Sequence, residues 1–149
     1  LAVLEKIVGV KDSSGDLGYY EELCKLKKIR PDWSMLIGPE ALMTASLDLG
    51  GDGGISGGAN VFPDLFADCY TAKLEGKKEK VAELSRKIEM FQEVYTMGKH
   101  LSRFVIATKC CLSILGICSD YVEQPFQRFG HNQRAAIEKI LEKIDYKER

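Results

Sequence analysis

Lys11 is the residue in this sequence best placed to do covalent chemistry. It closes a short apolar run, Ile7-Val8-Gly9-Val10, of the kind that suits a strand buried on both faces of a parallel sheet. Strand alternation puts Lys11 on the face of Ile7 and Gly9, and Gly9 leaves space beside it. An ammonium on the inner face of such a sheet must be paired with an anion or driven toward the neutral amine by desolvation. A neutral lysine amine is a nucleophile that condenses with a carbonyl to a Schiff base. The simpler alternative is a lysine that merely reaches solvent from the end of its strand.

The elements that must position Lys11 follow from periodicity and punctuation. Lys-Asp-Ser-Ser-Gly-Asp at 11–16 is a turn cluster rich in helix caps. A helix over about Gly18 to Lys28 follows, burying Leu23 and Leu26, and Pro31 breaks the chain after it. Ser34 to Ile37 reads as a second strand ended by Gly38. Pro39 and Glu40 open the next helix, to about Leu49, with the acid at the positive end of the dipole. A glycine-rich turn over Gly50 to Gly54 leads to Ile55 and Ser56 at the end of a third, very short strand, and then to a helix over about Asp64 to Leu74. Three strand–helix units in succession mean a parallel sheet. The carboxyl ends of its strands, at Lys11, Gly38 and Ile55–Ser56, form the rim where α/β proteins build sites.

Beyond Gly76 the pattern is helical. Val81, Leu84, Ile88, Phe91 and Tyr95 recur at the spacing of one long amphipathic helix. Phe104, Thr108, Cys111 and Leu115 mark a second, and Ile137, Ile140, Leu141 and Ile144 a third, capped near Asn132. Phe91, Tyr95 and Phe104 read as packing residues. The chain therefore divides into an α/β portion, 1–75, and a helical region, 76–149.

Composition removes several classes of function. With 45% hydrophobic and 29% charged residues, the 149-residue chain can bury a core. Its 21 basic and 22 acidic side chains leave a formal net charge of −1, which argues against a broad electrostatic grip on nucleic acid. Five cysteines with no Cys-x-x-Cys pair, and only two histidines, leave no metal-ligand signature, so buried free thiols are expected. No apolar run is long enough to span a bilayer and no signal peptide opens the chain, so a soluble cytoplasmic protein is expected. The glycines of 50–58 satisfy neither G-x-x-x-x-G-K-[ST] nor G-x-G-x-x-G, which excludes a nucleotide loop. Small residues there leave room for a ligand to approach the backbone.

Two spaced segments resemble one family. Ile-Val-Gly-Val-Lys-Asp-Ser-Ser-Gly-Asp at 7–16 resembles the Schiff-base segment of the dihydrodipicolinate synthase/N-acetylneuraminate lyase family. Gly-Gly-Asp-Gly-Gly-Ile-Ser-Gly-Gly-Ala-Asn-Val-Phe-Pro at 50–63 resembles that family's second signature, and Gly38 falls where the family has a glycine ending its seventh strand. The resemblance implies the C-terminal part of a (β/α)8 TIM barrel, strands six to eight, followed by a C-terminal helical extension. It implies that Lys11 forms the Schiff base with the keto carbon of pyruvate, without metal or cofactor. Ile55, Ser56 and Gly57 would then line the pocket at the eighth strand, and Gly38 and Glu40 would face the second substrate, an aldehyde. A homo-oligomer is implied as well, a tetramer built of dimers.

Within the family, sialic acid lyases are expected to show Asp-Glu after the seventh strand and a serine after the eighth, where this chain has Glu40-Ala41 and Gly57. Lys11-Asp12-Ser13-Ser14 and Ile55-Ser56-Gly57 look more like the 2-keto-3-deoxy-sugar-acid aldolases. Dihydrodipicolinate synthase, joining pyruvate to aspartate semialdehyde, is the alternative. A second alternative is a non-catalytic half-barrel that serves oligomerisation or ligand sensing. A complete barrel needs about 250 residues. The resemblance therefore implies an N-terminal half, with the family's tyrosine proton relay and pyruvate-carboxylate loop, outside these 149 residues, and a chain inactive by itself.

Overall fold

The computed structural model describes residues 2–144. Three parallel strands lie in the order β1 (Gly9–Asp12), β2 (Ser34–Ile37) and β3 (Gly53–Gly54). Between them run α1 (Leu17–Cys24), continued by a 3-10 turn at Lys25–Lys28, and α2 (Met43–Asp48), preceded by a 3-10 turn at Glu40–Leu42. Then follow α3 (Pro63–Leu74), α4 (Lys78–Gln92) with a 3-10 extension over Glu93–Met97, α5 (Arg103–Ile114) and α6 (His131–Ile144). Among the described residues no helix is long and apolar enough to cross a membrane.

β2 has the bounds its apolar run predicts. β1 lies two residues further on than Ile7–Val10, because its pairing continues past the apolar residues. Lys11 stands opposite Leu36 and Asp12 opposite Ile37, and the Gly38 N–H donates to the Asp12 carbonyl at 2.6 Å. Gly9 serves this pairing and not the lysine: a Cβ there would strike the Ser34 carbonyl of the neighbouring strand. β3 ends at Gly54, so Ile55 and Ser56 follow the strand, although the Ile55 N–H still donates to the Ile37 carbonyl at 2.9 Å.

The two faces of the sheet differ. Met35 and Ile37 point to the helices and are buried. Leu36 is only partly covered, and its register partner Lys11 is exposed. The parity expected for Lys11 is thus observed, but among the described residues nothing closes over that face. The strands form an open sheet with β1 and β3 at its edges, and not the closed ring that a complete barrel has.

One buried cluster runs through both portions of the chain. Leu65, Phe66 and Cys69 of α3 meet Leu84, Ile88 and Phe91 of α4, and Ile137, Ile140, Leu141 and Ile144 of α6 complete it. Burying each of these side chains contributes about 1.5–3 kcal/mol. Four cysteines are buried free thiols as expected, whereas Cys118 is exposed. Burial, then the neighbouring Cys110, pushes the Cys111 thiol up to about 12, so it stays protonated within the core.

Asp52, in the turn before β3, clips the crossovers together. Its carboxylate accepts from the Met35 N–H at 2.7 Å and from Lys27 Nζ at 2.6 Å. Burial alone would raise this carboxyl, but the Lys27 and Met35 hydrogen bonds with the Lys27 charge outweigh it and hold Asp52 below the usual aspartate range. A lowered folded-state pKa means stability that is present above the ordinary value of about 4 and lost as pH falls through the folded one. Asp52→Ala is therefore expected to cost about 1 kcal/mol at neutral pH, after screening at this half-exposed position. Urea unfolding should show the difference from the parent protein shrinking toward about pH 3.

Candidate active site

The loop after β1 is organised by its own side chains. Buried Asp12 accepts from the Ser14 N–H at 3.0 Å and the Ser14 hydroxyl at 2.9 Å. Asp16 caps α1 by accepting from the Tyr19 N–H at 3.0 Å. This turn leaves Lys11 at the strand's end with its Nζ 2.6 Å from the Ser13 hydroxyl oxygen. No carboxylate pairs with Lys11 among the described residues, so the amine is held by a neutral partner at the rim.

Gly38 makes room for that arrangement. A Cβ at this position would meet the Ser13 hydroxyl and lie 2.8 Å from Lys11 Nζ. The lysine side chain therefore lies directly over the end of β2, and any larger residue there would push it away. Gly38 thus leaves the space that the lysine side chain occupies.

Lys11, Gly38, Glu40, Ile55 and Gly57 line one cavity of about 690 Å³, together with Ser13, Asn60, Gln92 and Tyr95. Ile55 is 56% exposed and stands at the open side. Ser56 is not brought to this cavity. It lines a neighbouring one beside Met43 and Phe66, and its buried hydroxyl has no hydrogen-bond partner among the described residues. The residue types that could hold a metal ion do not converge: among the described residues there is no group of three or more His, Cys, Asp or Glu.

Glu40 lines the cavity wall, but its oxygens turn inward. It is 6% exposed and accepts from the Gly58 N–H, from Gln92 Nε2 at 2.5 Å and from the Tyr95 hydroxyl at 3.0 Å. Its carboxylate thus acts as a junction between the ends of β2 and β3 and the end of α4. Burial, then the Glu40 charge, pushes the Tyr95 phenol far up, so Tyr95 stays protonated and remains a donor. Sequence reasoning took Tyr95 as plain packing and did not single out Gln92. The available signal was the spacing of Gln92 and Tyr95, three residues apart on one helical face, opposite a buried acid that needed donors.

Helix α5 forms the remaining wall through Phe104, Val105, Thr108, Lys109 and Leu112. Aromatic rings join this wall to the start of α3: Phe62 to Phe91 at 6.0 Å, Phe91 to Tyr95 at 5.5 Å and Tyr95 to Phe104 at 5.0 Å between centroids. Phe104, expected only to pack, also faces the cavity.

The sequence and fold of this chain resemble those of known proteins. The model of the dihydrodipicolinate synthetase family matches residues 1–144. The chain belongs to that family. The solved dihydrodipicolinate synthase of Bacteroides thetaiotaomicron superimposes with a TM-score of 0.89 and 41% identity, over 95% of this chain and 48% of that one. A 4-hydroxy-tetrahydrodipicolinate synthase of Ruegeria pomeroyi is 32% identical over 95% of this chain and 47% of its own length. A protein of Escherichia coli K12 described as "Probable 2-dehydro-3-deoxy-D-pentonate aldolase" is 30% identical over 76% of this chain and 37% of its own. The chain spans about half the length of the curated relatives it matches, 44–48% in most cases. In this dihydrodipicolinate synthetase family member the junction at Glu40 is the feature with the largest structural consequence.

Removing that carboxylate strands three buried donors. Glu40→Ala is expected to lower unfolding stability by about 3 kcal/mol, with Glu40→Gln losing less, measured by denaturant unfolding. Tyr95 adds a pH dependence. Its folded pKa lies above the unfolded one, so its contribution is complete below the ordinary tyrosine value of about 10 and is withdrawn as pH rises beyond it. Tyr95→Phe should flatten the fall in stability that the parent protein shows above about pH 10.

Proposed function

We propose that this chain supplies the Schiff-base-forming part of a pyruvate-dependent class I aldolase or lyase, of the 2-keto-3-deoxy-sugar-acid aldolase type. The observation that carries the reading is the Lys11 amine at the mouth of the sheet, held by Ser13 and lying in the space that Gly38 leaves. In this reading the neutral amine attacks the keto carbon of pyruvate. The carbinolamine takes up a proton from solvent at its hydroxyl, expels it as water, and a protonated imine remains. That imine draws electron density from the neighbouring carbon, which can then lose a proton and attack an aldehyde, or be released when a C–C bond breaks in the reverse direction. Ser13 is in place to hold Lys11 Nζ before attack. Gly38, Gly57 and Ile55 leave the rim open, and Glu40 positions the Gly57–Gly58 segment through the Gly58 N–H.

A synthase acting on aspartate semialdehyde is the second reading, favoured by the 41% identity to the Bacteroides thetaiotaomicron enzyme. In both readings the described sheet corresponds to strands six to eight of a (β/α)8 barrel. The remaining strands, with the proton relay and the pyruvate-carboxylate loop, come from sequence beyond these residues. Assembly into a tetramer built of dimers belongs to the same proposal.

The test uses the protein with its complete barrel. Borohydride reduction with pyruvate should attach the three-carbon acid to the peptide containing Lys11, read by mass spectrometry, and Lys11→Arg should abolish the adduct. An unmodified Lys11 in a folded parent protein would sink the enzyme reading and favour a non-catalytic module. Comparing aspartate semialdehyde with sugar-derived aldehydes as co-substrates then separates synthase from aldolase.

A further inference from the structure

The two oxygens of Glu40 are held by different parts of the chain. Oε1 accepts from the Gly58 N–H and the Tyr95 hydroxyl, which fastens the backbone after β3. Oε2 accepts from Gln92 Nε2 at 2.5 Å, its one donor among the described residues. The same amide nitrogen also donates to the Ile88 carbonyl, one turn earlier on α4, at 3.5 Å. Gln92 is thus steadied by its own helix while it holds the carboxylate, and it lines the cavity together with Lys11 and Glu40.

The direction of Oε2 matters because pyruvate, like the carboxylate, is an anion. Glu40 lies close behind the rim: a Cβ on Gly57 would stand 3.3 Å from its Oε1, and Gly57 lines the same space as Lys11. A buried carboxylate oxygen that loses its donor must find another, or a cation. Turned into the cavity, Oε2 would repel the carboxylate of pyruvate and pair with the Lys11 ammonium. A lysine paired in that way stays protonated and cannot attack a carbonyl. An amide suits the task of preventing this, since it satisfies the oxygen and brings no charge of its own.

We infer that Gln92 is a positioning residue for the Schiff-base step, acting by holding the Glu40 carboxylate away from Lys11 and pyruvate. This rests on the Schiff-base reading of Lys11 and adds an electrostatic condition imposed from the helical region.

The protein with its complete barrel is tested by cyanoborohydride trapping of pyruvate on Lys11, well below its melting temperature and with folding checked by circular dichroism. The measured quantity is the second-order rate constant of trapping at low pyruvate. Gln92→Leu is expected to lower it roughly 5- to 20-fold, the effect of a like charge released into a partly solvated cavity. Adding Glu40→Gln to Gln92→Leu should recover most of that loss, because the double variant has no charge to release. A purely structural role predicts the opposite, since the second substitution weakens the junction further. Gln92→Glu keeps the shape of the side chain and carries the test should the leucine variant not fold. Two facing carboxylates share a proton at low pH and repel once both ionise, so its rate relative to the parent should fall between about pH 5 and 8. Tyr95 and Cys111, the titratable groups around Glu40 that burial pushes up, keep their protons over that range. Lys11 and Lys109, which line the cavity, are common to both proteins and cancel in the ratio. A parent-like rate in Gln92→Leu, a double variant as slow as the single one, or a flat ratio in Gln92→Glu overturns the inference while trapping at Lys11 still stands. A parent protein that traps no pyruvate overturns the Schiff-base reading and the role of Gln92 with it.

Discussion

The buried carboxylate of Glu40 is the constraint on which the site depends. An acid with 6% exposure is tolerated only where hydrogen bonds replace the water it has lost. Here the three donors come from separate parts of the chain: the Gly58 amide after β3, the Gln92 amide at the end of α4 and the Tyr95 hydroxyl in the turn beyond. Satisfying one charge therefore fixes the helical region against the mouth of the sheet. Tyr95, one of these donors, also packs its ring on Phe104 of α5, so the junction and the α5 wall of the cavity meet at one residue. The aromatic contacts from Phe62 to Phe104 stiffen the same junction, each adding about 0.5–1.5 kcal/mol beyond its burial.

The sequence made the architecture readable where local pattern and tertiary context agree. Ser34 to Ile37 alternates toward a helix-covered face, so its bounds are those of β2. The helical tail was visible because Leu84, Ile88 and Phe91, and later Ile137, Ile140, Leu141 and Ile144, repeat at helical spacing and are all buried. β1 was misplaced by two residues because hydrophobicity stops at Val10 while backbone pairing runs on through Lys11 and Asp12. The helices after β1 and β2 are shorter than predicted, since part of each is a 3-10 turn, at Lys25–Lys28 and Glu40–Leu42. A periodicity argument does not separate 3-10 from α over three or four residues.

The candidate site divides along the same line. Lys11, Gly38, Glu40, Ile55 and Gly57 were legible because they sit at strand ends or in glycine-rich turns, where local sequence fixes position. Ser56 was assigned by its place beside Ile55, but the chain turns after β3 and carries its hydroxyl to another cavity. Gln92, Tyr95 and the α5 wall were not legible. They reach the site from more than fifty positions away through a long-range contact, and amphipathic spacing reports only that such a helix packs somewhere. Glu40 held the clue in reverse: it was read as a dipole partner and substrate contact, whereas its burial makes it the anchor.

Sheet parity explains why the amine is both exposed and consequential. Successive residues of β1 alternate between faces, so the pairing that sends Asp12 to the helix side with Ile37 sends Lys11 to the other side with Leu36. Parallel sheets are normally covered on both faces, and here only the helix side is covered, with Ile55 left open to solvent beside Lys11. A lysine placed on the uncovered side keeps its hydration until something closes over it. The register of β1 therefore decides which face carries the amine, and the Glu40 hydrogen bonds tie the end of α4 to the mouth of that sheet.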